Sequence, residues 1–351
     1  MAAKPLALKR EPVRRTSRAG LFTSVAEVLV DHGLGHLDQS FTYGIPAKLI
    51  DSINIGSLVK VPFNRNELEG VVVGIRVNES GTFKPVIGVI RQFAYTESAI
   101  ALAREVAKRY ATSVLRILKL FVKLRFEGEY SAPQKSGTAR IQRRFFPESQ
   151  NTISDLISRL RTVQGSVLIF VPSAREATWL CDELKETLGS RVLHIDEWHK
   201  SSIDQKCSKI GIGMRGMIFT QINDLTELIV FNDSSELYWD QRSPFWNLRD
   251  VALIRSRLES LSLLFISGAP SLEVARLGET KYFTVEKPQR QLFKRRTFAT
   301  ASLPSVWRRV GSLHRRQLIL CHDENLVHMG LPTSKSGWVS SISFSASVAR
   351  S

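Results

Sequence analysis

Apolar and polar residues alternate along the first part of the chain with the two-residue period of half-buried strands. SVAEVLVD (24–31), SFTYGIP (40–46), GSLVKVPF (56–63), LEGVVVGIRV (68–77) and FKPVIGVIRQF (83–93) read as five short strands separated by Gly, Pro and Asn turns. Such a set predicts a small barrel or sandwich. The period changes after residue 96. Ile100, Ala103, Val106, Ala107 and Tyr110 then recur on one helical face, with Arg104, Lys108 and Arg109 on or near the other. A second helix runs through Val114, Leu115, Leu118 and Phe121, with Arg116, Lys119 and Lys123 interleaved. Two short basic helices fit a winged-helix or helix-turn-helix unit. They fit a plain helical hairpin with solvated cations equally well.

Residues 128–150 are polar and contain Pro, Gly and Ser, so they read as a linker. From 151 to 285, helical and buried-strand patterns alternate. TISDLISRLRT is a helix, and GSVLIFVP (165–172) is a buried strand. SAREATWLCDELKETLG (173–189) is a helix opened by the Ser173/Glu176 capping box and stopped at Gly189. Strands follow at RVLHID, 209–219, 225–233 and 262–270, with a helix at 245–260. This alternation predicts a parallel α/β sheet. Residues 286–351 hold a charge run and a Ser-rich end without sustained period, and read as an irregular tail. The fold class expected for the whole chain is α/β and multidomain, with boundaries at 1–20, 21–95, 96–127, 128–150, 151–285 and 286–351.

Charge adds a partner class to this outline. Lys and Arg number 49 against 33 Asp and Glu, a formal net charge of +16. A surface that basic suits a polyanion, nucleic acid above all. Residues 1–20 are Arg-rich and read as a disordered basic arm that touches phosphates, or as a solvated tail. They lack the apolar core of a secretory signal, and no apolar run approaches the roughly 20 residues needed to span a bilayer. The three cysteines, Cys181, Cys207 and Cys321, form no CxxC pair, which points to a reducing compartment.

Candidate chemistry is sparse. A phosphate-cradling GxxxxGK[ST] loop is absent, and the nearest text, PQKSGTAR (133–140), has its lysine on the wrong side of the glycine. IVFNDSSELYWD (229–240) has the form of a strand that ends in magnesium-binding and water-activating acids. Its end carries Phe231 and Asn232 instead, and Asp233 reads as a turn former. His32 and His36, near Asp31 and Asp38, have metal-like spacing, but Gly33 and Gly35 between them favour a surface loop over a ligand helix.

These segments also carry a family resemblance. SVAEVLVDHGLGHLDQSFTYGIP followed by IGSLVKVPFNRNELEGVVVGI resembles the N-terminal DNA-binding domain of the PriA family of replication restart proteins (primosomal protein N′). ALAREVAKRYATSVLRIL resembles the segment that leads into its winged helix. VLIFVPS, IGIGMRGMIFTQINDLTELIVFND, SPFWNLRDVALIRS and LLFISGAPSLE resemble its first helicase lobe, in family order over roughly 21–285. The resemblance implies a β-rich 3′-end DNA-binding domain at 21–95, a winged-helix-like segment at 96–127 and a degenerate RecA-like lobe at 151–285. It also implies a pocket for the 3′ end of a leading strand at Phe41, Thr42, Asn64 and Lys84, where Thr42 stands in place of Asp and Asn64 in place of Gly. Arg104, Lys108 and Arg109 become backbone contacts. The family's D-E-E-H falls on Phe231, Asn232, Asp233 and Ser234, which is similar to the actinobacterial branch without helicase signatures. The family binds ATP and two zinc ions, but the phosphate loop and the zinc cysteines have no counterpart here, so no cofactor is expected. The chain also resembles a truncated member. The implied function is non-enzymatic: binding forked DNA at stalled replication forks and recruiting primosome partners, in the bacterial cytoplasm at the nucleoid. The alternatives are an ATP-dependent helicase completed by a partner chain and a scaffold remnant without DNA affinity.

Overall fold

A computed structural model describes residues 20–33, 39–77, 81–121, 141–149, 151–194, 197, 209–222 and 224–286. All of them belong to one compact unit, Met1–Gln289. The expectations for the arm at 1–19 and the tail from 287 lie outside the described residues.

The N-terminal module is built from β1 (Gly20–Leu21), β2 (Ser24–Val30), β3 (Ser40–Gly44), β4 (Leu58–Phe63), β5 (Asn66–Val77), β6 (Thr82–Phe83) and β7 (Gly88–Arg91). Five of these strands form an antiparallel sheet in the order β3-β2-β5-β4-β7, and β1 pairs with β6. The alternation read from the sequence sorts side chains onto two faces. Ala26, Val28 and Val30 join Tyr43, Val59, Val61 and Val72 in one buried cluster, whereas Leu29, Leu58, Val71 and Val73 enter another. The edges of the sheet meet at Gly44, whose N–H donates to the Lys84 carbonyl (2.9 Å) and whose carbonyl accepts from the Val86 N–H (2.9 Å). Glycine is required there, because a Cβ would fall against the ring of Phe22. The single strand expected over 83–93 is thus two, β6 and β7, divided where Pro85 crosses to β3.

Two helices follow, α1 (Glu97–Arg109) and α2 (Val114–Leu118). The side chain of Thr96 caps α1 by accepting from the Ala99 N–H, and Ser113 caps α2 by accepting from Arg116. Of the winged-helix expectation, the structure describes only this helical pair, and any wing beyond Phe121 falls outside the described residues.

The lobe comprises β8 (Arg143–Pro147), α3 (Thr152–Thr162), β9 (Ser166–Phe170), α4 (Ala174–Leu188), β10 (Val192–His194), β11 (Ile210–Gly213), β12 (Leu225–Phe231), α5 (Leu248–Glu259), β13 (Ser262–Ser267), α6 (Leu272–Glu279) and β14 (Thr284–Val285). Its seven strands are parallel in the order β10-β11-β9-β12-β13-β8-β14. Two expectations are corrected. The linker placed at 128–150 contains β8, which pairs with β13 from Arg143 to Pro147 and buries Phe145. The strand placed at 209–219 ends at Gly213, and the chain continues as a 3-10 turn over Arg215–Phe219. Among the described residues, no helix is long and apolar enough to cross a membrane.

Both faces of the parallel sheet are covered. Val167 and Ile169 of β9 pack with Leu156 and Leu160 of α3 and Leu180 and Leu184 of α4. Leu168 and Phe170 turn to the other face, which is shared by Val251 and Ala252 of α5, Val274 of α6, and Ile100, Val106, Ile117 and Leu118 of the module helices. The module and the lobe therefore have a hydrophobic core in common. Polar contacts fasten the same boundary. Gln221 accepts from the Thr96 N–H (2.7 Å) and donates to the Ala94 carbonyl (3.0 Å), all buried. The Tyr110 hydroxyl donates to Asp250 (3.2 Å) and accepts from the Asn247 N–H (3.0 Å).

Candidate functional site

The residues expected to form the DNA pocket lie along β3 and its neighbours. Phe41 is half-buried, and its ring meets that of Phe63 edge-on at 5.2 Å. His32 stacks on Phe63 at 5.3 Å with 21° between the rings and meets Phe41 at 6.2 Å. Phe63 closes β4, and Asn64 follows at the exposed tip of the hairpin into β5. The cluster thus brings Phe41 and the Asn64 turn to one end of the module. Asn64 has φ +52°, the left-handed region in which Asn is among the few tolerated side chains. That conformation explains how Asn fits a position where the resemblance implies Gly.

Thr42 points to the opposite face of β3 from Phe41, as strand alternation requires. Its partner across the sheet is Glu27 of β2. Glu27 forms an ion pair with Arg76 at 3.5 Å and is flanked by Gly74 of β5. Lys84 is exposed beside Gly44, at the seam where the sheet edges meet. From Phe41 to Gly44 is about 10 Å of strand at roughly 3.3 Å per residue. The four residues therefore fall into two groups, Phe41 and the Asn64 turn at the aromatic end and Thr42 and Lys84 on and beside β3, rather than converging on a single point. His32 and Phe63 belong to the aromatic end and were missed from sequence. Phe63 alternates into the strand pattern, and His32 was weighed only as a metal ligand. No periodicity announces a ring contact across three segments.

The cations of the helical pair divide into two sets. Arg104 and Lys108 lie exposed on α1, one turn apart. Arg109, expected to contact DNA beside them, is also exposed and pairs with Asp250 at 3.0 Å. Lys119 pairs with Asp31 at 2.7 Å and Arg116 donates to Ser243 at 2.7 Å. These three hold α1 and α2 to the segments around them.

In parallel sheets, ligands bind outside the carboxyl ends of the strands, and phosphates sit where a strand turns into a helix. Three such turns are described here. The β8–α3 turn reads PESQNT (147–152), the β9–α4 turn VPS (171–173) and the β13–α6 turn GAPS (268–271). None combines the glycines and lysine of a phosphate loop. PQKSGTAR (133–140) lies outside the described residues. At the end of β12, Phe231 is half-buried and packs against the α3–α4 face. Asn232 takes φ +50° and accepts from the Ser234 hydroxyl at 3.2 Å, so it makes the turn.

Asp233, expected as a turn former, is also a buried tie. It is 1% exposed. One oxygen accepts from the Ser267 hydroxyl (3.0 Å) and the other from the Ser271 N–H (3.0 Å). Arg249 lies behind it, buried and paired with Glu273 at 2.8 Å. Asp233 thus ties the β12 end to the β13–α6 turn, with both oxygens directed inward. Tyr238 reinforces the same edge with its hydroxyl set between the Phe170 and Phe231 carbonyls, which share its single proton, and its burial pushes that hydroxyl well above the usual tyrosine range.

Fold and site together define an α/β protein in which a β-rich module with an aromatic and polar edge shares its core with a parallel-sheet lobe. Residues 27–123 match the family model described as the 3′ DNA-binding domain of PriA. Replication restart protein PriA of Rickettsia conorii is 22% identical over 270 residues, covering 66% of this chain and 41% of that protein. The Chlamydia trachomatis protein of the same name is 28% identical over 141 residues, covering 37% of this chain and 18% of that one. A shorter match to Chlamydia muridarum PriA reaches 36% identity over 77 residues, covering 21% of this chain and 10% of that protein. The similarity to PriA proteins thus runs through the β-rich module and into the lobe, and the chain spans about two fifths of the length of the Rickettsia relative. Among solved structures, Saccharomyces cerevisiae Dbp5 bound to RNA and ADP BeF3 aligns over 54% of this chain and 50% of that one, with 13% identity and a TM-score of 0.30.

Proposed function

We propose that this chain binds branched DNA at stalled replication forks through the edge of its β-rich module, and recruits primosome partners without unwinding DNA itself. One observation carries the reading: the His32–Phe41–Phe63 ring cluster, with Thr42 on β3 and the exposed Lys84 beside Gly44, lies inside the segment that matches a 3′ DNA-binding domain. An aromatic end suits stacking of a terminal base, and a lysine further along suits a phosphate. Exposed Arg104 and Lys108 add backbone contacts, and the net charge of +16 supports a polyanionic partner. Phe231 and Asn232 at the β12 end, Asp233 turned inward and a β8–α3 turn without glycine or lysine all support the absence of ATP hydrolysis. On this reading the chain takes neither ATP nor zinc as a cofactor, and it works at the nucleoid.

Fluorescence anisotropy with forked DNA, with and without a leading-strand 3′ end, tests the proposal. The fork with the end should bind more tightly, and Lys84→Ala should weaken it. Equal affinity for both forks, unchanged by Lys84→Ala, overturns the pocket. ATP turnover in the presence of single-stranded DNA overturns the non-enzymatic part.

A further inference from the structure

We infer that the lobe carries a phosphate-binding site built on Arg143 and Arg144, which takes one tetrahedral phosphate group, from a nucleic-acid backbone or free in solution. The inference goes beyond the proposed edge of the β-rich module and uses none of its residues. A cavity of about 150 Å³ lies where β8 and β14 begin, lined by Ile141, Gln142, Arg143, Arg144 and Thr284. Asp233 and the three strand-to-helix turns stand at the carboxyl ends of the parallel strands, whereas these residues stand at the amino ends. β14 is the last strand of the sheet and starts opposite Arg144. At Gln142 and Arg143, therefore, no described strand pairs with β8 on that side, and the rim is open.

The lining is a set of donors. Arg143 is half-buried, with its guanidinium over the Tyr282 ring at 4.8 Å from the centroid. Its Nε is buried and has no hydrogen-bond partner among the described residues. A buried N–H without a partner is rare in a folded protein. On arginine it belongs to the planar fork that pairs with two oxygens of a phosphate. Arg144 faces the other side of the sheet, as strand alternation requires. Among the described residues its ion pair is with Glu286 at 3.5 Å, and the two side chains are 42% and 40% exposed. The Gln142 Oε1 accepts from Arg159 at 3.2 Å, which turns the amide so that its N–H groups face away from that arginine. The Thr284 hydroxyl is exposed at the rim. Two positive charges and neutral donors around one small space fit an anion. By the measure in which one water needs about 10–15 Å³, the cavity holds several waters or a single tetrahedral anion. A whole nucleotide, of the size that takes about 300 Å³ or more, does not fit. The net charge of +16 makes a nucleic-acid backbone the readiest source of the phosphate.

The full chain is tested with both sources of phosphate. On oligothymidine, followed by anisotropy across a salt series, Arg143→Gln should weaken binding about tenfold, the scale of one hydrogen bond to a charged group. Arg143→Gln and Arg144→Gln together should lower the slope of log K against log salt by about 0.7, the share of one phosphate on a single strand. Arg175→Gln removes the same charge from an exposed position on α4 and should leave the slope unchanged. Glu286→Gln should strengthen binding, because it removes the carboxylate that competes with phosphate for Arg144; a purely structural role for the arginines predicts no gain. Inorganic phosphate is the second probe. At constant ionic strength it should raise the melting temperature of the wild type by about 2 °C, and that of Arg143→Gln not at all. Either response supports the site and identifies the source of its phosphate. DNA affinity that the arginine variants leave unchanged, or lower no more than Arg175→Gln does, together with no thermal response to phosphate, overturns the inference. Arg144→Gln alone carries the test if Arg143→Gln does not fold, since the Arg144 side chain is partly exposed. Equal affinity for forks with and without a leading-strand 3′ end, which defeats the proposed function, leaves both of these readouts standing.

Discussion

Gln221→Ala examines the boundary between module and lobe. The Gln221 amide satisfies two buried main-chain groups of the module, the Thr96 N–H at 2.7 Å and the Ala94 carbonyl at 3.0 Å. Alanine leaves both without that partner. A buried polar group left unmatched costs about 1–3 kcal/mol, so two cost roughly 2–6 kcal/mol, less whatever an entering water restores. A loss of about 3 kcal/mol is the expected outcome. Equilibrium urea unfolding reads it, with two probes. All six tryptophans lie at residue 179 or later, so their fluorescence reports on the chain beyond the module, whereas far-ultraviolet circular dichroism reports on both parts. Because module and lobe share a core, the two curves should coincide in the wild type. A loss below about 0.5 kcal/mol, the level of ordinary surface substitutions, combined with two separate transitions, would refute the shared-core reasoning.

Asp233→Ala should cost about 2–4 kcal/mol in the same assay, because the buried Ser271 N–H and Ser267 hydroxyl lose a charged acceptor; a change near zero would return Asp233 to the role of a turn residue. Phe41→Ala should weaken binding of a 3′-ended fork by about 1–3 kcal/mol, the scale of one stacked base, and the loss should vanish when the terminal nucleotide is abasic. Lys84→Ala should lower the slope of log K against log salt by about 0.7 on a single-stranded end, read by anisotropy across a salt series. Burial pushes the hydroxyls of Tyr95 and Tyr110 up to about 12. The unfolded chain releases those protons near the ordinary value of 10.0, before the folded chain does, so stability should fall as pH rises from about 10 to 12. Tyr95→Phe should flatten that fall in denaturation curves taken across the window.

Where a segment's neighbours in sequence determine its state, the structure was legible. The Ser173/Glu176 capping box and the Gly189 stop bound α4 as read, and the alternation of 24–30 became β2. Where distant pairing decides, it was not. RRFFP (143–147) carries two arginines and a proline, and pairing with β13 and β14 makes it a strand. GMRG (213–216) continues an apolar run, yet the chain turns there and sends Met217, Ile218 and Phe219 into the shared core. The candidate site divides in the same way. Phe41, Thr42, Asn64 and Lys84 were named through resemblance. Phe63 and His32 enter through ring contacts, which link residues tens of positions apart.

The shared core also suggests why a lobe without paired acids would persist. Ile100, Val106, Ile117 and Leu118 of the module cover the same sheet face as α5 and α6. A domain excised at the end of the 27–123 match would leave that apolar surface bare, and the lobe's sheet would lose part of its cover on that face. Each part is the other's solvent shield. On the proposed reading, changes at Phe231 and Asn232 leave that shared core intact, whereas loss of the lobe's framework would expose the apolar face of the β-rich module's helices to water.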